Sequence, residues 1–316
     1  MIISVSRRTD IPAFYSEWFF NRLKEGFVLS VNPFNRKMLT KLSLKQEDVT
    51  CFVFWTKNPS NFIKRLDELD GYSFYFQFTL NSYQKDLEPN VPLKKGLIKN
   101  FIELSEKIGK ERVIWRYDPI LINEKYTKEY HYKWFEELCK KLHDYTNKVV
   151  ISFIDFYNKT KRNTKELNIQ KIEPSEIEEV AAKLSEIARK YYLRIETCSE
   201  SIDLEKYNIC HGKCIDDVLI GKIIGDEKFS AEKDRFQRKE CGCVNSSDIG
   251  AYNTCLHNCL YCYANFNKKT IRENNLLHDP ESPLLIGKVE PDMKIYDRNE
   301  KEKLKKKPEQ TKLDLK

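Results

Sequence analysis

No stretch of this chain approaches the roughly 20 consecutive apolar residues that a membrane-crossing helix requires. Its start, Met1-Ile-Ile-Ser-Val-Ser, reads as a strand and lacks the basic segment, apolar core and small-residue cleavage site of a secretory signal. A soluble, cytoplasmic protein with no membrane partner is expected. Common catalytic signatures are also missing. There is no phosphate-cradling Walker loop, no G-x-G-x-x-G after a strand, no G-x-S-x-G elbow and no H-E-x-x-H helix. No Gly/Ser-rich linker divides the chain, so residues 1–296 are expected to form a single domain.

Charge and cysteine are plentiful. The net charge is +7, but residues 298–316 hold eight Lys or Arg against four Asp or Glu, so more than half of the surplus belongs to the end of the chain. The body is nearly neutral, which argues against a basic nucleic-acid groove. Residues 297–316, with Lys305-Lys306-Lys307-Pro308, read as a basic, disordered tail. Of the ten cysteines, eight crowd between Cys198 and Cys262. In a reducing compartment such clustering favours metal binding over disulfides.

The first two thirds of the chain alternate β-rich runs with helical patterns, as βα units around a parallel sheet do. Strands are expected at Ile2–Ser6, Phe27–Val31, Cys51–Trp55, Ser73–Thr79, Arg112–Tyr117, Val149–Phe153 and Leu193–Thr197. Helices are expected near Ala13–Glu25, Pro59–Glu68, Leu93–Ile108, Lys128–Asp144, Glu173–Lys190 and Ile215–Ile224. The fold class is α/β, a partial or complete (β/α) TIM-type barrel, with Arg235–Asn245 crossing its end and a cysteine-rich loop near the C-terminus. Each apolar run ends in chemically capable side chains, among them Arg7, Arg8, Asp10, Lys57, Arg116, Asp118 and Glu196. In a parallel barrel those ends form one rim, where active sites are built. Arg116 and Asp118 share a parity and so project to one face of their strand. Trp55 and Tyr117 are the aromatic residues expected nearest the rim.

Cys255-Leu-His-Asn-Cys259-Leu-Tyr-Cys262 supplies three thiolates spaced C-x3-C-x2-C, short enough for an irregular loop to bring them to neighbouring corners of a four-iron cube. Cys198, Cys214, Cys241 and Cys243 are candidates for a second centre, either another [4Fe-4S] cluster or a structural zinc. Cys51 and Cys139 sit in apolar settings and read as core residues. His257, inside the loop, reads as a residue that shields the metal rather than binding it.

The C-x3-C-x2-C run, with Tyr261 directly before its last cysteine, resembles the radical S-adenosylmethionine signature. Longer motifs are similar to the DUF1848 family. They are Arg7-Arg8-Thr9-Asp10-Ile11-Pro12, Phe54-Trp55-Thr56-Lys57-Asn58-Pro59, Trp115-Arg116-Tyr117-Asp118-Pro119, Gln237-Arg238-Lys239-Glu240-Cys241-Gly242-Cys243, Asp248-Ile-Gly-Ala-Tyr252 and His278-Asp-Pro-Glu-Ser-Pro-Leu-Leu-Ile-Gly287. The chain is also distantly similar to spore photoproduct lyase-like proteins. The radical-enzyme signature usually follows the first strand, so its position here implies a circularly permuted barrel.

The resemblance implies a [4Fe-4S] cluster on Cys255, Cys259 and Cys262, with one iron left open to chelate S-adenosylmethionine. One electron would cleave that cofactor and begin radical chemistry on a small-molecule or nucleotide-type substrate. A reductase, ferredoxin or flavodoxin would be the electron donor. Arg116, Asp118 and Lys57 are the expected catalytic residues, and Arg7, Arg8, Asp10, Glu196 and Tyr261 the expected cofactor contacts. The competing expectations are a non-catalytic barrel stabilised by zinc or iron–sulfur that binds nucleic acid or protein, and a protein that only transfers electrons.

Overall fold

The computed structural model describes residues 1–156 and 158–298. In chain order the strands are β1 (Ile2–Val5), β2 (Phe27–Asn32), β3 (Asn35–Ser43), β4 (Cys51–Thr56), β5 (Phe74–Thr79), β6 (Val113–Ile120), β7 (Lys148–Phe153), β8 (Arg194–Thr197), β9 (Cys210–His211), β10 (Ser247–Asp248) and β11 (Lys294–Asp297). The helices are α1 (Ile11–Phe14), α2 (Ser16–Glu25), α3 (Lys94–Ile108), α4 (Lys128–Leu142), α5 (Asn158–Asn163), α6 (Pro174–Lys190), α7 (Asp217–Ile224) and α8 (Lys268–Leu276). The expected disordered tail lies, from residue 299 onward, outside the described residues.

Eight strands form one sheet in the order β10-β1-β4-β5-β6-β7-β8-β9, with every neighbouring pair parallel. The sheet is not closed. Its outer strands, β9 and β10, are two residues long and do not pair with each other. The segment leading into β10 instead reaches across to the segment after β9 with a bond from Val244 N–H to the Ile215 carbonyl at 3.2 Å. Of the partial or complete TIM-type barrel expected from sequence, the α/β class and the parallel sheet are present, but the sheet is an open one of eight strands rather than a closed barrel.

A second correction concerns Phe27–Val31. These residues form β2 of a separate sheet, ordered β11-β3-β2, and pair antiparallel with β3. The cause is local: Asn32 Oδ1 accepts bonds from Phe34 N–H at 2.9 Å and Asn35 N–H at 3.3 Å, a side-chain turn that sends the chain back on itself rather than into a crossover helix. The helix expected at Pro59–Glu68 is a 3-10 segment, Ile63–Leu69. The long helices α3, α4 and α6 lie within about two residues of expectation, the usual uncertainty of helix ends.

Alternation along the strands divides the side chains between two faces. Ile3, Val5, Phe52, Phe54, Phe76, Phe78, Trp115, Val149 and Ile151 pack against the helix layer of Trp18, Phe19, Phe101, Phe135 and Leu184. The aromatic strand residues mostly belong here, as the stacked Phe54–Phe76 pair shows. The opposite face carries Ile2, Cys51, Val53, Tyr75, Ile114 and Val150, covered by Ile215, Ile220, Phe229 and Val244. Continuing each strand toward its C-terminal end, this second face turns polar, and there the site lies.

Candidate functional site

A cavity of about 470 Å3 opens at the C-terminal ends of the parallel strands. Arg7 and Arg8 enter its lining after β1, Lys57 after β4, Arg116 and Asp118 from β6, Asp155 after β7, Cys198 after β8, Cys214 after β9, and Asp248 from β10. Seven cysteines line it: Cys198, Cys214, Cys241, Cys243, Cys255, Cys259 and Cys262. The two sets separated in sequence thus face one space.

Cys255, Cys259 and Cys262 lie on an irregular loop that follows β10, the strand beside β1 at the edge of the sheet. The loop is held at many points. Tyr15 Oη donates to the Thr254 carbonyl at 2.7 Å, Asn90 Nδ2 to the Leu256 carbonyl at 2.8 Å, and Asn265 Nδ2 to the Cys255 carbonyl at 3.0 Å. Leu260 N–H donates to the Leu87 carbonyl at 3.0 Å, and Tyr263 Oη to the Arg7 carbonyl at 2.9 Å. Asn258, one residue before Cys259, has φ 56°, a left-handed conformation that asparagine tolerates better than most residues. Burial raises all three thiols above their ordinary range; Cys259 reaches about 12 although the Lys57 ammonium pulls it the other way.

Several buried polar atoms around this loop have no hydrogen-bond partner among the described residues: His257 Nδ1, Asn258 Oδ1, Asn265 Oδ1, Thr9 Oγ1 and Asn81 Oδ1. An unsatisfied buried group costs about 1–3 kcal/mol, and three of these residues, Thr9, His257 and Asn265, line the cavity, where a ligand could meet them.

Two carboxylates anchor the loop. Asp10 caps α1 through Ala13 N–H at 3.0 Å, accepts from Lys57 N–H at 2.7 Å and meets His257 Nε2 at 2.8 Å. It joins the β1 loop, the end of β4 and the cysteine loop. Glu88 is fully buried and binds Lys57 Nζ at 2.8 Å, Lys94 and the Tyr261 hydroxyl. Burial alone would raise its carboxyl, but the Lys57 and Lys94 ammoniums outweigh that and lower it to about 2. Burial likewise opposes the Lys57 charge, yet Glu88 holds Lys57 above its ordinary range.

The cationic residues lining the cavity all have acidic partners: Arg7 with Asp234, Arg8 with Asp248, Lys57 with Glu88, Arg116 with Asp118 and Arg238 with Asp155. With Asp10, Asp118, Asp155 and Asp248 also in the wall, the lining is a mosaic of both signs rather than a basic basin.

Of the residues singled out from sequence, Arg7, Arg8, Asp10, Lys57, Arg116, Asp118, Tyr261 and the seven cysteines all line this cavity. Glu196 is the exception. It does not line the cavity but pairs with Lys148 at 3.0 Å and Arg194 at 2.7 Å, and the backbone of Gly212 lies so close that a Cβ there would meet Glu196 Oε2 at 2.8 Å. Tyr117, expected near the rim, projects into the helix layer and meets His131 Nδ1 at 2.8 Å. Trp55 does reach the cavity, with the Arg7 guanidinium 5.9 Å from its ring.

Sequence reasoning missed Glu88, which sits in a loop with no motif, and Asp248, one residue of a two-residue strand. Asp248 accepts from Ser4 Oγ at 2.7 Å, Ser6 Oγ at 2.6 Å, Arg7 N–H at 2.9 Å and Gly250 N–H at 2.9 Å. Its place before Ile-Gly-Ala-Tyr252, directly ahead of the cysteine loop, was the available cue.

Cys198, Cys214, Cys241 and Cys243 also come together. Cys198 Sγ and Cys214 Sγ are 3.4 Å apart, and Cys243 Sγ accepts from Cys214 N–H at 3.2 Å and Ile215 N–H at 3.4 Å. Contact with Cys243 lowers the Cys241 thiol to about 6. Among the described residues no three His, Cys, Asp or Glu side chains converge on a single-ion position.

These features define an α/β protein whose parallel sheet presents a cysteine-lined, mixed-charge cavity at its strand ends. The chain belongs to the DUF1848 family, described as a domain of unknown function, whose family model matches residues 2–264. No curated protein and no solved structure matches it. Among the described residues no helix is long and apolar enough to cross a membrane.

Proposed function

We propose that this protein is a radical S-adenosylmethionine-type enzyme, with a [4Fe-4S] cluster held by Cys255, Cys259 and Cys262. The observation that carries the reading is that these three free thiols occupy one irregular loop facing a cavity built from the C-terminal ends of a parallel sheet. When bound, such a cluster supplies the electron that cleaves the sulfonium C–S bond of S-adenosylmethionine.

The residues present suit that group. Three thiolates on neighbouring corners of a cube occupy separate irons, so they need not converge as ligands of one ion do. The orphaned polar atoms beside the loop are available to a ligand. The order of the strands supports the permutation: β10 stands beside β1 at the sheet edge and the cysteine loop follows it directly, so a chain read from β10 would carry the loop after its first strand.

The chain's own residues bind, orient and shield. Lys57, held charged by Glu88, offsets negative charge near Cys259 and lies 5.5 Å from the Tyr261 ring centroid. Asp10 fixes His257 and with it the first half of the loop. Arg116 and Asp118 present a paired cation and carboxylate to the cavity. This mosaic of charge suits a zwitterionic, nucleoside-bearing cofactor and a polar small-molecule or nucleotide-type substrate better than a polyanion. A reductase, ferredoxin or flavodoxin would deliver the electron.

The test is anaerobic purification followed by incubation with dithionite and S-adenosylmethionine. Brown protein that forms 5′-deoxyadenosine, with both properties lost in Cys259→Ala, is the expected result. Iron-loaded protein that never cleaves S-adenosylmethionine would leave an electron carrier instead. Colourless protein holding only zinc would eliminate both.

A further inference from the structure

Cys198, Cys214, Cys241 and Cys243 are distant in sequence, and the fold sets their sulfurs in a row along the cavity wall. Cys198 directly follows β8, and Cys214 lies three residues beyond β9; Cys241 and Cys243 lie on the segment leading into β10. The ladder between β8 and β9 pairs Glu196 with Cys210 and Thr197 with His211, and Gly212 N–H extends it to the Thr197 carbonyl at 2.8 Å, so the segments carrying Cys198 and Cys214 run side by side. The C-x-C turn seats itself against the same segment with glycine at its centre, since a Cβ on Gly242 would meet Lys213 Cγ at 2.9 Å and the Gly212 carbonyl at 3.3 Å.

Within the row each sulfur meets only its neighbours. Cys198 Sγ and Cys214 Sγ are hydrogen-bonded at 3.4 Å, and Cys243 touches Cys214 on one side and Cys241 on the other. A series in which Cys198 donates to Cys214, Cys214 to Cys243 and Cys243 to Cys241 accounts for their acidities. Donation to Cys214, with burial, raises Cys198; Cys214 and Cys243 each receive a bond that lowers them, but the bond each gives and its burial outweigh that. Cys241, at the receiving end, is lowered although burial opposes it. The row thus holds three thiols in series with one thiolate, an arrangement suited to sulfur–sulfur bonds made pair by pair. A disulfide is about 2.05 Å long, so Cys198 and Cys214 have a gap of roughly 1.4 Å to close.

We propose that these four cysteines form a thiol–disulfide relay that reduces a low-molecular-weight disulfide entering the cavity and stores the bond between Cys198 and Cys214. The Cys241 thiolate attacks one sulfur of the disulfide X–S–S–X and expels XS⁻. Cys243 attacks the Cys241 sulfur of that mixed disulfide and expels the second XS⁻. Cys214 then attacks Cys243 and frees Cys241, and Cys198 attacks Cys214 and frees Cys243. The small disulfide is reduced to two molecules of XSH, whose hydrogens come from Cys198 and Cys214, and those two cysteines are left oxidised. Arg116 Nη1 donates to Cys214 Sγ at 2.9 Å and pairs with Asp118, so the redox state of the pair is felt by a charged pair of the cavity lining. The relay uses none of Cys255, Cys259 and Cys262 and goes beyond the cluster reading.

The experiment incubates the full chain, purified anaerobically, with oxidised glutathione, blocks the remaining thiols with N-ethylmaleimide and maps the cysteines by peptide mass spectrometry. The expected result is a disulfide joining the Cys198 and Cys214 peptides that dithiothreitol reverses. Its formation at pH 7 should slow roughly tenfold or more in Cys241→Ser, and Cys243→Ser should accumulate glutathione on Cys241. Natively folded wild type, checked by circular dichroism, in which Cys198 and Cys214 are both recovered blocked as free thiols overturns the proposal. A disulfide that forms in Cys241→Ser at the wild-type rate overturns the relay. The wild-type measurement requires no variant to fold. Because the readout is the Cys198 and Cys214 peptides, and cleavage of S-adenosylmethionine reports separately on the cysteine loop, the two readings fail independently.

Discussion

Replacing Glu88 by glutamine should be among the most costly conservative changes in this protein. The substitution keeps size and shape but leaves Lys57 and Lys94 without their shared carboxylate. Lowering a carboxyl from its ordinary 4.5 to about 2 corresponds to roughly 3 kcal/mol of native-state stabilisation. Removing one partner of a buried ion pair independently suggests about 3–5 kcal/mol.

The dependence on pH follows from the direction of the shift. A carboxyl depressed in the folded state contributes fully above its unfolded value, and the contribution is lost as pH falls from about 4.5 toward 2. Urea unfolding followed by circular dichroism should therefore show wild type exceeding Glu88→Gln by roughly 3 kcal/mol at pH 7. The gap should narrow steadily below pH 4.5, because protonated Glu88 resembles glutamine. Taking the difference between the two proteins cancels the other titrating groups. A gap under about 1 kcal/mol at pH 7, or one that does not change with acid, would refute the reasoning.

Three other outcomes are expected. Burial, aided by the nearby Asp155 charge, raises Glu200 from 4.5 to about 7, although the Phe153 amide acts against this; its contribution to native stability should be lost as pH rises from about 4.5 through about 7, and thermal melts should show Glu200→Gln more stable than wild type by about 1 kcal/mol after solvent screening at about pH 8 but not at about pH 4.5. Gly250→Ala places a methyl 2.1 Å from Ser6 Oγ and 2.5 Å from Ser6 Cβ, which should cost about 1–3 kcal/mol of unfolding free energy and disturb the bonds that Asp248 receives from Ser6 and Arg7. Asp10→Asn keeps a helix-capping oxygen but withdraws the carboxylate from His257, so amide hydrogen exchange should accelerate across residues 255–262 and remain unchanged in β5 and β6.

Much of the architecture could be read from local pattern. The expected runs at β1, β4, β5, β6, β7 and β8 match the structure because a buried parallel strand is a continuous apolar segment bounded by turn residues. The same logic located Arg116 and Asp118, since parity along a strand is a property of the backbone alone. Glu196 shows the limit of this approach. Its parity places it on the cavity-bearing face, but whether that position is open depends on what lies over it, and Gly212 from a distant segment does. Phe27–Val31 was readable as a strand, though its partner was not, because the Asn32 turn and the arrival of β11 decide which sheet it joins.

The sequence by itself determined that the protein is α/β, that strand ends carry its charged residues, and that Cys255, Cys259 and Cys262 belong to one short loop. These follow from contacts within a few residues, where spacing along the chain nearly equals spacing in the fold. Tertiary structure alone decided that the sheet stays open between β9 and β10, that Glu88 and Asp248 brace the cavity, and that four more cysteines, separated by as many as 45 positions, line the same wall as the loop. Such contacts depend on how whole elements pack, and a chain of side chains does not encode them in any local spacing.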